Sequence, residues 1–228
     1  MRILLLFTII CSVCCLSKSQ DFYGSPEFNN FWQNLDNLKI RNGETAINYN
    51  GSPYLFETDQ GKLILADEQS FEGLTMRYNV YNDEMEIKKG DQYYSIPKEK
   101  LFPSMVLDGH HFALKVYVDS NKKQIAYFEE FVNDSLCGFF IKHNIFLSEP
   151  EESRPYKDAK PAEFKSKMPG FYIAFNKDVL HEVKTKKDFL ELAPAHQEEL
   201  AAYIKKHKTK FKKTDSVKRL VEYYNSLQ

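Results

Sequence analysis

Residues 74–87 change hydrophobic phase once, and that change constrains the fold more than any other feature of this 228-residue chain. Leu74, Met76, Tyr78 and Val80 alternate with Thr75, Arg77, Asn79 and Tyr81. Period two, carried by aromatic and β-branched side chains, describes a half-buried strand. The next apolar residues, Met85 and Ile87, fall at odd positions. A one-residue slip would turn every later side chain to the wrong face, so the backbone must bulge or reverse at Asn82-Asp83. A hairpin is the favoured solution.

The flanking sequence repeats this grammar. Short apolar stretches at 62–66, 92–96, 110–118, 124–132, 136–147, 171–175 and 179–183 are separated by turn residues, among them Gly73, Lys89-Gly90-Asp91, Asp108-Gly109 and Asn176-Lys177-Asp178. In 110–118 the residues Phe112, Leu114, Val116 and Val118 share one face. Aromatics make up 14% of the chain, mostly Phe and Tyr, which suits strands. Strands in succession without intervening helices predict an antiparallel meander, built as a curved sheet, an open barrel or a sandwich. Residues 148–170 are aperiodic, contain Pro150, Pro155, Pro161 and Pro169, and read as an exposed loop. From Thr185 the period lengthens to that of a helix, with apolar stripes at Phe189, Leu190 and Leu192, at Leu200, Tyr203 and Ile204, and at Val217, Leu220, Val221 and Tyr224. The expected class is α+β, with an antiparallel β domain over 51–184 and a three-helix C-terminal cap over 185–228.

The N-terminus is read separately. Arg2, an apolar run of about 10–14 residues and the small residues Ser17 and Ser19 describe a secretory signal peptide over 1–19. The run is short for a membrane span, and lipoprotein processing is disfavoured because Val13 before Cys14 is not the small residue it needs and Cys15 follows another cysteine. Cleavage removes three of the four cysteines and leaves Cys137, which excludes an intramolecular disulfide. It also removes two of the 31 basic residues and none of the 32 acidic ones, a balance of −3 that argues against nucleic-acid binding. Residues 20–50 form a leader in which Phe28, Phe31, Trp32, Leu35 and Leu38 match a short amphipathic helix.

Three sets of motifs occur in order: Gly51-Ser-Pro-Tyr-Leu; Arg77-Tyr-Asn-Val-Tyr-Asn-Asp-Glu-Met-Glu86; and Lys186-Lys-Asp-Phe-Leu with Lys210-Phe-Lys-Lys and Tyr223-Tyr-Asn-Ser-Leu227. Together they resemble a group of exported proteins from Bacteroidetes without an assigned activity. The resemblance spans residue 51 to the C-terminus. It implies a bacterial host and an exported protein, periplasmic or associated with the outer membrane, and carries over no catalytic or binding residue.

Chemical signals are sparse. The six histidines lack metal-ligand spacing, and His110 and His111 on a strand would face opposite ways. The acidic pairs, including Glu84 and Glu86, read as solvated strand edges. No nucleophile elbow, phosphate loop or dinucleotide fingerprint occurs, which argues against an enzyme and implies no cofactor and no metal. Two candidate surfaces remain. Arg77, Asn79 and Tyr81 lie on the second face of the central strand, where they would form a polar recognition surface or an arginine paired across the hairpin. Lys205, Lys206, Lys208, Lys210, Lys212 and Lys213 form a cationic run between the last two helices, suited to anionic headgroups or a polyanion, or else simply solvated. The expected function is non-enzymatic binding of a partner protein or envelope component; carriage of a small apolar, lipid-like molecule in an aromatic-lined sheet is the alternative. Mass spectrometry of the protein from its own cells should find Gln20 as the first residue. A retained Met1, or lipid on a cysteine, would contradict the cleavage.

Overall fold

A computed structural model describes residues 26–34, 49–100, 102–153, 155–156 and 158–227. The expected signal peptide over 1–19 and most of the expected leader over 20–50 lie outside the described residues. The elements are α1 (Pro26–Asn34), β1 (Tyr54–Ile64), β2 (Ser70–Asn79), β3 (Glu84–Lys89), β4 (Gln92–Ser95), β5 (Ser104–Leu107), β6 (His110–Asp119), β7 (Lys122–Val132), β8 (Cys137–Ser148), β9 (Glu163–Phe175), β10 (His181–Glu182), α2 (Lys186–Leu192), α3 (Gln197–His207) and α4 (Thr214–Asn225). The ten strands form one antiparallel sheet in the order β10-β9-β8-β7-β6-β5-β1-β2-β3-β4. It is curved and unclosed, and the three C-terminal helices follow it, so the chain is α+β with a helical cap.

The phase change resolves as a hairpin. Tyr78 pairs with Met85 and Met76 with Ile87, so even and odd positions meet on the same buried face. Asp83 takes a left-handed conformation at φ 54° and closes the turn with a backbone hydrogen bond to the Val80 carbonyl. Its side chain extends further. It accepts from the Tyr78 hydroxyl at 2.8 Å and from the Tyr127 backbone N–H of β7 at 3.2 Å, and it pairs with Lys98. The turn is thereby tied to a strand distant in sequence. Asp108 and Gly109, at φ 49° and 81°, form the two-residue turn between β5 and β6, as their sequence predicts.

Three apolar clusters fill the molecule. The first is enclosed by β1–β6 and contains Leu63, Met76, Tyr78, Met85, Ile87 and Phe112; Trp32 of α1 packs on it. The second lies between one face of β8 and β9 and the cap, where Phe139, Ile141 and Ile173 meet Phe189, Leu200 and Ile204. In α4, Val217, Leu220, Val221 and Tyr224 are buried at helical spacing, and the helix lies across β7 and β8. The third occupies the opposite face, where Phe128, Phe140, Tyr172 and Leu180 pack together. The backbone of Leu180 exchanges hydrogen bonds with Val116 and Val118 of β6, so that end of the sheet curls over this face without closing.

Three expectations change. Residues 163–170 are strand, not loop: β9 pairs with β8 from Glu163 onward. The register shifts between Lys142 and Asn144, so Met168 and Pro169 bulge opposite His143. Proline is tolerated there because a bulge asks no ladder hydrogen bond of it. Glu86 is also not a solvated edge. β3 lies between β2 and β4, and Glu86 is 8% exposed beneath Arg77. In β6 the predicted face is buried only at its start. Val116 is 39% exposed, as is its partner Ile125 at 52%, because the strand runs out beyond the first cluster.

Gly61 pairs with Leu74 where β1 is irregular, and a Cβ there would lie 2.6 Å from the Leu74 carbonyl oxygen. Gly61→Ala should therefore lower stability by about 1–3 kcal/mol, read from the urea midpoint. An unchanged midpoint would contradict this close approach of β1 and β2.

Candidate functional site

The cationic run is displayed by a loop with little freedom. α3 ends at Lys208, whose left-handed conformation (φ 49°) lets its N–H bond the Ile204 carbonyl, and the Thr209 N–H bonds the same oxygen. Lys210 donates its backbone N–H to the Ser216 hydroxyl at 2.8 Å, and the Lys213 N–H returns to the Lys210 carbonyl. Phe211 packs on the second cluster, its ring 6.3 Å from that of Phe189. This apolar anchor and the loop hydrogen bonds leave Lys208, Lys210, Lys212 and Lys213 exposed. Beside the loop, the Tyr203 ring stacks on His207 and on Tyr223, each at 4.2 Å.

His207, Lys208, Lys210, Lys213 and Arg219 line a surface concavity of about 570 Å³ with Asp215 as its one carboxylate. Elsewhere the protein pairs many of its cations: Lys62 with Glu72, Lys115 with Glu130, Lys184 with Glu182 and Lys218 with Glu222. Among the described residues, Lys205, Lys206, Lys208, Lys210, Lys212, Lys213 and Arg219 make no ion pair. Seven uncompensated cations on one short stretch hold a local positive potential although the whole chain is acidic on balance. Such a surface can attract and hold an anion.

The structure does not bring Arg77, Asn79 and Tyr81 together. Arg77 donates from Nε to Glu86 Oε2 at 2.6 Å, and its guanidinium lies between the Tyr54 and Tyr93 rings at 4.1 and 3.6 Å. The Tyr93 hydroxyl donates to Glu57 at 3.0 Å, which completes a pin across β1–β4. Asn79 is buried and accepts from the Asn82 backbone inside the turn. Tyr81 packs edge-on against Phe164, with ring centroids 5.4 Å apart. Cys137 is buried, and burial pushes its thiol well above the ordinary value, which suits a packing residue.

One cluster was missed by sequence reasoning. Glu129 of β7, only 6% exposed, holds His110 Nδ1 and His143 Nε2, each at 2.6 Å. The Phe56 ring stacks on His110 at 4.4 Å. Phe112 pairs with Glu129 across β6 and β7, so cross-strand neighbours and a β8 residue meet there. The three residues are separated by 19 and 14 positions, and no motif links them. Burial acts to raise the Glu129 carboxyl, but hydrogen bonds and charge from His143 and His110 outweigh it and leave the carboxyl below its ordinary value. A carboxylate that orients two imidazoles is also found in acid–base sites, but no nucleophile is bonded to either ring among the described residues. No group of three or more His, Cys, Asp or Glu among the described residues is arranged to hold a metal. No described helix is long and apolar enough to cross a membrane.

With this geometry in hand, comparison with known proteins adds no assignment: no family model, no curated protein and no solved structure matches the chain.

The lowered Glu129 carboxyl sets a sign for acid sensitivity. Its contribution is present above the unfolded value of about 4.3 and is lost as pH falls through the lower folded value. Glu129→Gln should cost about 1–3 kcal/mol at neutral pH, because two imidazoles lose a charged acceptor. In urea melts, the gap from wild type should narrow as the pH falls below about 4. A gap independent of pH would contradict the role given to the carboxylate.

Proposed function

We propose that the mature protein is an exported, non-enzymatic binding protein that holds an anionic component of the bacterial cell envelope on the cationic face of its helical cap. The observation that carries this reading is the set of seven unpaired cations around the 208–213 loop, four of which (Lys208, Lys210, Lys213 and Arg219) line one concavity of about 570 Å³ together with His207. Charges left unpaired on a loop fixed by its own hydrogen bonds are arranged in advance for an external anion, which then costs less ordering to bind. The signal peptide and the resemblance to exported Bacteroidetes proteins support the envelope as the place where that anion is met.

Interior carriage of an apolar molecule draws less support. The aromatic side chains of the curled face are in contact with one another, with Phe128 and Tyr172 centroids at 4.9 Å and Tyr117 and Phe128 at 5.3 Å. Those rings fill the space a carrier would keep open. Binding at the surface of the cap is therefore the stronger reading.

The test is co-sedimentation of the mature protein with washed envelope fragments from its host. Each lysine near an anionic surface contributes about 1 kcal/mol, so the triple variant Lys208→Glu, Lys210→Glu, Lys213→Glu should bind at least about a hundredfold more weakly. Added salt should release the wild type. Thermal unfolding should be little changed, because all three side chains are exposed. Equal sedimentation of a folded triple variant would overturn the proposal.

A further inference from the structure

Resting on that reading, we infer that the anion is an amphiphile: a phosphate-bearing lipid whose headgroup lies among Lys208, Lys210, Lys213 and Arg219 and whose acyl chain crosses the loop into a second concavity. The loop separates two different environments. Lys210 and Lys213 line the cationic side, whereas Phe211 and Lys212 line a concavity of about 310 Å³ on the other side. Met168, Pro169, Phe171 and Val183 supply its apolar wall. Two charged groups at that wall, Lys184 and Glu182, neutralise each other at 2.7 Å. The charge left over is Lys212, which stands on the shared loop itself.

Met168 points to the apolar half of the ligand. It is 61% exposed, held outward by the β9 bulge beside Pro169. An exposed, flexible thioether next to an apolar concavity is suited to covering an alkyl chain of variable shape. A simple polyanion would satisfy the lysines and leave this wall in water. A neutral lipid would cover the wall and leave seven cations unpaired. A ligand with a phosphate at one end and an alkyl chain at the other satisfies both.

Calorimetric titration of the mature protein with inorganic phosphate, then ethyl, hexyl and decyl phosphate below their micellar concentrations, tests this. Decyl maltoside serves as the neutral comparator. Affinity should rise at least about tenfold from ethyl to decyl phosphate, because each buried methylene adds to the transfer energy. Decyl maltoside should bind far more weakly. Met168→Gln, an exposed substitution that leaves the core alone, should cut the gain from the longer chain while the affinity for ethyl phosphate stays the same. The amphiphile is overturned if affinity does not depend on chain length, or if the maltoside binds as well as decyl phosphate. A chain-length gain untouched by Met168→Gln overturns the placement in this concavity. If no phosphate compound binds at all, the cationic-face proposal falls with it. If all of them bind alike, only the amphiphile falls.

Discussion

A ten-stranded antiparallel sheet presents more apolar face than three short helices can cover, and the rest of the structure follows from that shortfall. The cap reaches only one face of β7–β9, through α4 and the residues around Phe189. The first six strands therefore bend around their own cluster, centred on Met76, Tyr78, Met85 and Phe112. The opposite face of β7–β9 is covered by the curl that brings Leu180 back to β6. Large open sheets commonly curl or split for this reason. Asp83 ties the two regions together, because one turn carboxylate serves Tyr78, Lys98 and the β7 backbone. Burial and that carboxylate push the Tyr78 phenol well above its ordinary value, so the bond keeps its proton across the physiological range.

Where the signal for an element was local, the sequence was legible. The slip between Val80 and Met85 marked the hairpin, Asp108-Gly109 its neighbour, and Thr185 the start of α2, where a reciprocal bond with Asp188 completes a capping box. The lysine run was legible because its members are contiguous. Elements that depend on pairing partners were not. Pro169 reads as a breaker until the bulge opposite His143 supplies a place that needs no N–H. Val116 alternates like a buried residue, but only topology shows that nothing covers it. Glu129 and its two histidines carry no signal at all, since strand register alone unites them.

Arg77 illustrates the limit of reading a site from residue type. Its strand position allowed either a recognition surface or a pair across the hairpin, and the structure forms the pair: Glu86 lies at its Nε, with the Tyr54 and Tyr93 rings on its two faces. A stacked and paired guanidinium of this kind strengthens the packing of neighbouring strands. The lysines of the cap differ in that respect. They stand on a loop fixed by Phe211 and Ser216, and among the described residues no carboxylate forms an ion pair with them. Unpaired charge on a loop held by its own hydrogen bonds is the feature on which the proposed anion binding rests.

Whether that surface is occupied in living cells can be read by amine acetylation, with site-resolved mass spectrometry of intact cells against the purified protein. Lys208, Lys210 and Lys213 should react more slowly in cells than in isolation, while Lys122 and Lys123, exposed at the turn between β6 and β7, should react equally in both. Equal reactivity of the cap lysines in cells and in isolation would contradict a bound anion.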